Sequence, residues 1–228
     1  SVALGKQLKW PDDYFSLVYS VNYQQYKLKN YNYFMIDGFE NGTSNNINFK
    51  ITLSRSSVDQ PIFPRSGSNF MLSAQYTPPL FQPDKDYTKE PVADQFKFIE
   101  YQKYRFNAEW YVPLSKPMGS DAKAFVLKVA AKFGYITRYN SRTTLSPFGR
   151  FELGGDGLSN FAIYDRDIIS QRGYPVYYTS DPSVNPDNGQ PANYSGFTVF
   201  NKYVMELRYP FSLNPSSTIF GLAFLEAA

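Results

Sequence analysis

Period-two alternation, sustained over unusually long stretches, limits most what this chain can become. Ile47, Phe49, Ile51 and Leu53 interleave with Asn46, Asn48, Lys50, Thr52 and Ser54. Successive side chains of a strand point to opposite faces, so this pattern builds a strand with one apolar and one polar face; a helix would scatter it around its circumference. The pattern recurs in Phe15, Leu17, Tyr19, Val21 and Tyr23 (Val18 is an exception), in Phe70, Leu72, Ala74 and Tyr76, and in Tyr104, Phe106, Ala108, Trp110 and Val112. It returns in Leu127, Val129, Ala131 and Phe133 and in Tyr203, Met205 and Leu207. With strand-like stretches at Ser1 to Trp10 and near Phe224, eight strands are expected. The opposite faces carry charge: Lys103, Arg105 and Glu109 in one strand, Lys202, Glu206 and Arg208 in another. A soluble sandwich would turn such faces to water, and a membrane barrel would turn them to its lumen. Alternation alone does not separate the two.

Connection lengths do. Short links are expected at residues 10–13, 56–67, 113–121 and 209–217, and long ones at 27–43, 77–95 and 138–195. Strict short–long alternation places every long loop at one end of the sheet, the signature of outer-membrane barrels. Strands this long also suit a tilted span better than the usual strand of about 5–6 residues. No stretch approaches the roughly 18 apolar residues of a spanning helix, and mean hydropathy is −0.42. The expected fold is therefore all-β: a transmembrane antiparallel β-barrel, seen in part. Residues 1–228 read as one unit without an inter-domain linker. The chain opens and stops inside strand-like stretches, as a segment of a longer polypeptide would, so the lack of a signal peptide carries no information.

The 228 residues include no Cys and no His. This removes disulfides, Ser-His-Asp and Cys-His catalysis and most zinc or iron sites. The net charge of +3 is spread along strands rather than clustered, which gives nucleic-acid binding little support. Gly154, Gly155, Asp156 and Gly157 could cradle an anion, but they lack the lysine and the strand-to-helix setting of a phosphate loop, so a tight loop is the expectation. Asp181, Asn185, Asp187 and Asn188 are oxygen donors whose spacing does not fit an EF-hand. Asp165, Arg166 and Asp167 read as loop leading into the next motif, and Trp10 and Tyr14 as girdle or hairpin aromatics. No two acids stand out as an acid and a nucleophile. No cofactor, no metal and no enzymatic role are expected.

The segment 138–195 is too long for an idle connection. It holds Gln171, Arg172, Gly173 and Tyr174, and the two strands after it each carry a carboxylate on the polar face, Glu206 and Glu226. A guanidinium is a rigid fork suited to bridging carboxylates. From the residues alone, Arg172 is either folded back against those acids or a solvated loop charge. Gly173 is expected to let the backbone pass close to the wall.

Five ordered stretches carry a resemblance: Leu8 to Phe15, Phe63 to Gly67, Phe151 to Gly157, Gln171 to Tyr174 and Glu206 to Pro210. Together they resemble the BamA family, the barrel subunit of the outer-membrane protein assembly machinery, in wording most like that of the Bacteroidota. The resemblance implies a sixteen-stranded barrel preceded by POTRA domains, with this chain as its sixth to thirteenth strands. It implies that Arg172 of an Arg-Gly-Tyr motif enters the lumen against Glu206 and Glu226. Gln171 departs from the family's Val or Leu, and the family's Gly-Asn-Ala-Trp after the second acid is lost. The implied partners are nascent outer-membrane β-barrel proteins, assembly lipoproteins such as BamD, the lipid bilayer and lipopolysaccharide, and the implied location is the cell outer membrane. Related readings are a TamA-like factor, a two-partner secretion translocator, or a passive pore.

Overall fold

The computed structural model describes residues 1–30, 36, 38–80, 85–116, 123–155, 166–174, 196–214 and 216–228. The alternating stretches form strands β1 (Val2–Gln7), β2 (Phe15–Leu28), β3 (Gly42–Ser56), β4 (Gly67–Tyr76), β5 (Gln102–Pro113) and β6 (Val126–Thr137). Two short strands follow, β7 (Phe151–Leu153) and β8 (Asp167–Ile169), then the long β9 (Val199–Asn214) and β10 (Ser217–Ala227). Eight of them make one sheet in the order β1-β2-β3-β4-β5-β6-β9-β10, every pair antiparallel. β7 and β8 pair with each other in parallel, inside the connection from β6 to β9.

Burial decides which face is which. Asn46, Lys103, Lys202 and Glu206 are buried, whereas Tyr23, Phe49, Trp110 and Tyr203 on the opposite face are exposed. A soluble sandwich would show the reverse. An apolar face turned outward and a charged face turned inward is the wall of a transmembrane barrel.

The strand ends joined after β1, β3, β5 and β9 lie at one end of the sheet, and those joined after β2, β4 and β6 at the other. Two expected boundaries are corrected. The last short link was expected at 209–217, but β9 runs on to Asn214 and β10 begins at Ser217. The chain accommodates Pro210 there through a bulge: Ile219 pairs with Ser212 and Phe220 with Pro210, so Phe211 is passed over. The second long connection was expected to end at Gln95. It continues to Tyr101 and contains a 3-10 turn, Tyr87–Lys89, and a single helical turn, α1 (Val92–Gln95).

At both ends side chains pack over the inner face. At the long-loop end, Phe39, Phe96, Ile99, Tyr101, Phe148, Phe151 and Ile169 from three connections meet Ile136 and Phe200 of the wall in one apolar cluster. At the short-turn end, Phe63 from the 57–66 turn packs on Tyr111 and Val126, with its ring 5.2 Å from that of Phe220. Phe63 is fully buried. Phe63→Ala is expected to cost about 3–5 kcal/mol, as large aromatic truncations do; urea unfolding in detergent checks this, and an unshifted midpoint would show that the turn does not brace the barrel.

Candidate functional site

The longest connection turns inward. β7 and β8 align Phe151 with Asp167 and Leu153 with Ile169. Past them the backbone amides of Gly154 and Gly155 donate to the carbonyls of Ile169 (2.9 Å) and Tyr174 (2.8 Å), and Gln171 N–H donates back to Gly155 (2.9 Å). Both glycine amides are therefore committed to holding the motif, which favours the tight loop over an anion cradle. Asp156 and Gly157 lie outside the described residues, as do Asp165, Asp181, Asn185, Asp187 and Asn188.

Residues 171–174 form a β-turn closed by a bond from Tyr174 N–H to the Gln171 carbonyl (3.1 Å). Gly173 sits at its third position with φ +80, a conformation that favours glycine. Its expected role in a close approach to the wall is corrected here: a Cβ at Gly173 would meet nothing within 4 Å. The turn, rather than a lack of space, requires the glycine. Gln171 is buried, with its Oε1 lacking a hydrogen-bond partner among the described residues, and Tyr174 is exposed.

The turn aims Arg172 at the wall. Its Nε donates to Glu226 Oε1 (2.8 Å) and its backbone N–H to Glu226 Oε2 (3.0 Å). Its Nη2 reaches both Glu226 Oε1 (2.5 Å) and Glu206 Oε1 (2.7 Å). The guanidinium also lies 3.6 Å from the ring centroid of Phe224, a cation–π contact. Glu206 takes two further bonds from Arg208, through Nε (2.8 Å) and Nη2 (2.5 Å). Glu226 takes one from Lys202 Nζ (3.1 Å), which also donates to the Ser170 carbonyl. Side-chain exposure is 7% for Glu206 and 6% for Glu226. Carboxylates this buried are tolerated only when paired, and each here has two cationic partners. Burial alone would weaken the proton affinity of Arg172; the bonds to Glu226 and Glu206 outweigh it, so its pKa is raised and the side chain stays charged.

Strand register explains why these groups meet. Phe224 is directly opposite Glu206, and Glu226 opposite Val204, so all four share the inner face. The expectation that Glu226 belongs to a polar face is corrected: its neighbours on that face are Phe224, Leu222 and Phe220, and the acid stands at the end of an apolar row. Sequence reasoning put Lys202 and Arg208 on the face of Glu206 without assigning them to the site, and it missed Phe224. The signal was present, since each lies two or four positions from an acid on its own strand and so shares that acid's face.

Between the turn and the wall lies a polar cavity of about 360 Å³, lined among others by Glu109, Lys128, Lys132 and Lys202. Among the described residues no group of three or more His, Cys, Asp or Glu is arranged to hold a metal.

An antiparallel wall, apolar outside and charged inside, with a long loop fixed to its inner surface, defines this chain as part of a transmembrane β-barrel. The chain belongs to the Omp85 superfamily, whose domain model matches residues 1–228. Its fold is similar to that in the crystal structure of BamA from Haemophilus ducreyi lacking POTRA domains 1-3, with a TM-score of 0.61 and 16% sequence identity. The match covers 98% of this chain and 40% of that one, so the chain spans well under half of the similar structure. No curated protein matches.

Proposed function

We propose that this chain is the middle of the barrel of a BamA-type factor, which folds β-barrel proteins and inserts them into the outer membrane. The observation that carries the reading is Arg172, held by a loop turn against carboxylates on two adjacent wall strands. A loop fixed to the inner wall through Arg172 suits a machine that must keep its lumen organised while its wall rearranges. Family membership and the BamA-like fold support the same reading.

On this reading the eight strands correspond to the sixth to thirteenth of a sixteen-stranded Bacteroidota-type barrel. The factor acts as a template rather than an enzyme: exposed strand edges of the complete barrel pair with an incoming strand. Its partners are nascent barrel proteins, assembly lipoproteins such as BamD, lipid and lipopolysaccharide. The test is depletion of the full-length protein followed by quantitative proteomics of the outer membrane. Loss of many unrelated barrel proteins is expected. Loss of a single secreted product would instead assign a dedicated translocator, and an unchanged inventory would assign a pore.

A further inference from the structure

We propose that Asp167, with Lys103 and Arg105, is a second anchor of the long loop, and that two anchors of opposite polarity set the direction in which the loop lies on the wall. Asp167 opens β8 and pairs with Lys103 Nζ and, at 3.2 Å, with Arg105 Nη1, both on the inner face of β5. Lys103 is almost fully buried. Its ammonium also donates to the Gly149 carbonyl (2.5 Å) and lies 4.8 Å from the ring centroid of Phe151. One lysine thus holds both strands of the β7–β8 pair.

The second anchor lies two strands from Glu206 and three from Glu226. The sheet order β5-β6-β9-β10 places Lys103 and Arg105 at one side of this region and Glu206 and Glu226 at the other. The loop contributes an acid at Asp167 and a base at Arg172; the wall contributes bases opposite the first and acids opposite the second. A reversed loop would set Arg172 beside Lys103 and Arg105, a meeting of like charges, while Asp167 would face Glu206 and Glu226, whose charges Arg208 and Lys202 already offset. Rejection of the reversed loop therefore falls at the β5 end, and there the pattern specifies orientation as well as attachment. Burial opposes the charge on Asp167, yet Lys103 and Arg105, with Lys50 further off, hold its carboxyl below the usual aspartate range.

The anchor concerns the same loop as the proposed function but does not depend on it. The test is proteinase K digestion of full-length protein in detergent, scoring cleavage within residues 138–198. Asp167→Asn is expected to speed cleavage about fivefold, the upper range for a partly exposed pair, and Asp167→Glu to stay near the parent rate. Asp167→Asn combined with Arg172→Ala should multiply the two single effects. The heat-modifiable shift of a folded barrel checks each variant, and Arg105→Gln reads out the same anchor if Asp167→Asn does not fold. Parent-like cleavage of Asp167→Asn, or failure of Asp167→Glu to preserve protection, would overturn the proposal. Client assembly is scored separately, because its loss or retention bears on the proposed function and not on the anchor.

Discussion

Arg172→Ala is expected to release the loop turn from the wall and to cut the assembly of client barrels severely. The size follows from what each carboxylate keeps. Glu226 loses the Nε and Nη2 bonds but retains Lys202 and the backbone N–H of residue 172. Glu206 loses one bond and retains both from Arg208. Breaking a buried pair outright costs about 3–5 kcal/mol. The residual cations and the 28% exposure of the Arg172 side chain reduce this to about 2 kcal/mol. That corresponds to roughly a thirtyfold shift of the loop toward its released state. Arg172→Lys should fall between the two, since an ammonium retains charge without the fork that spans both acids. The measurement pairs loop proteolysis with outer-membrane levels of several client proteins. A freely cleaved loop with normal client levels would separate the anchor from the function proposed for it.

Most of the barrel wall was legible because its signal is periodic. A residue such as Asn48 or Lys202 declares its face by position alone, and one-residue slips would expose every charge to lipid. Burial then added what alternation could not, namely which face meets lipid. The end of β9 was not legible, since Pro210 and the passed-over Phe211 look like a turn unless the bulge is known. β7 and β8 were invisible for another reason: three residues carry no period, and a parallel pair between distant parts of one loop leaves no local mark. The residues alone left Arg172 either folded back against its two acids or solvated, and motif order favoured the pairing. The contacts of Asp167 depend on where β8 lands and had no sequence signature.

Gly134→Leu is expected to expel the loop from the wall as effectively as loss of Arg172, by steric means. Gly134 lies on the inner face of β6, with Arg105 opposite on β5 and Phe200 opposite on β9. A Cβ there would sit 2.2 Å from Phe200 Cε1 and 2.7 Å from Phe151 Cζ. The missing side chain is the space in which Phe151 of β7 packs edge-on against Phe200, with ring centroids 4.7 Å apart at 68°. Phe200 belongs to the wall strand and has little freedom to leave. Phe151 belongs to a three-residue loop strand, so it yields first and takes the Gly154–Gly155 bonds and the Arg172 turn with it. Overpacking of this kind costs about 1–3 kcal/mol. Phe151→Ala alone should cost about 3–5 kcal/mol by leaving a cavity. If both effects share one space, Phe151→Ala in the Gly134→Leu background should cost much less than the sum, because the leucine fills what the ring vacates. Urea unfolding in detergent of the two single variants and the double variant gives the coupling directly. Strictly additive costs would show that Phe151 does not occupy the seat left by Gly134, and the loop would then owe its position to charge alone.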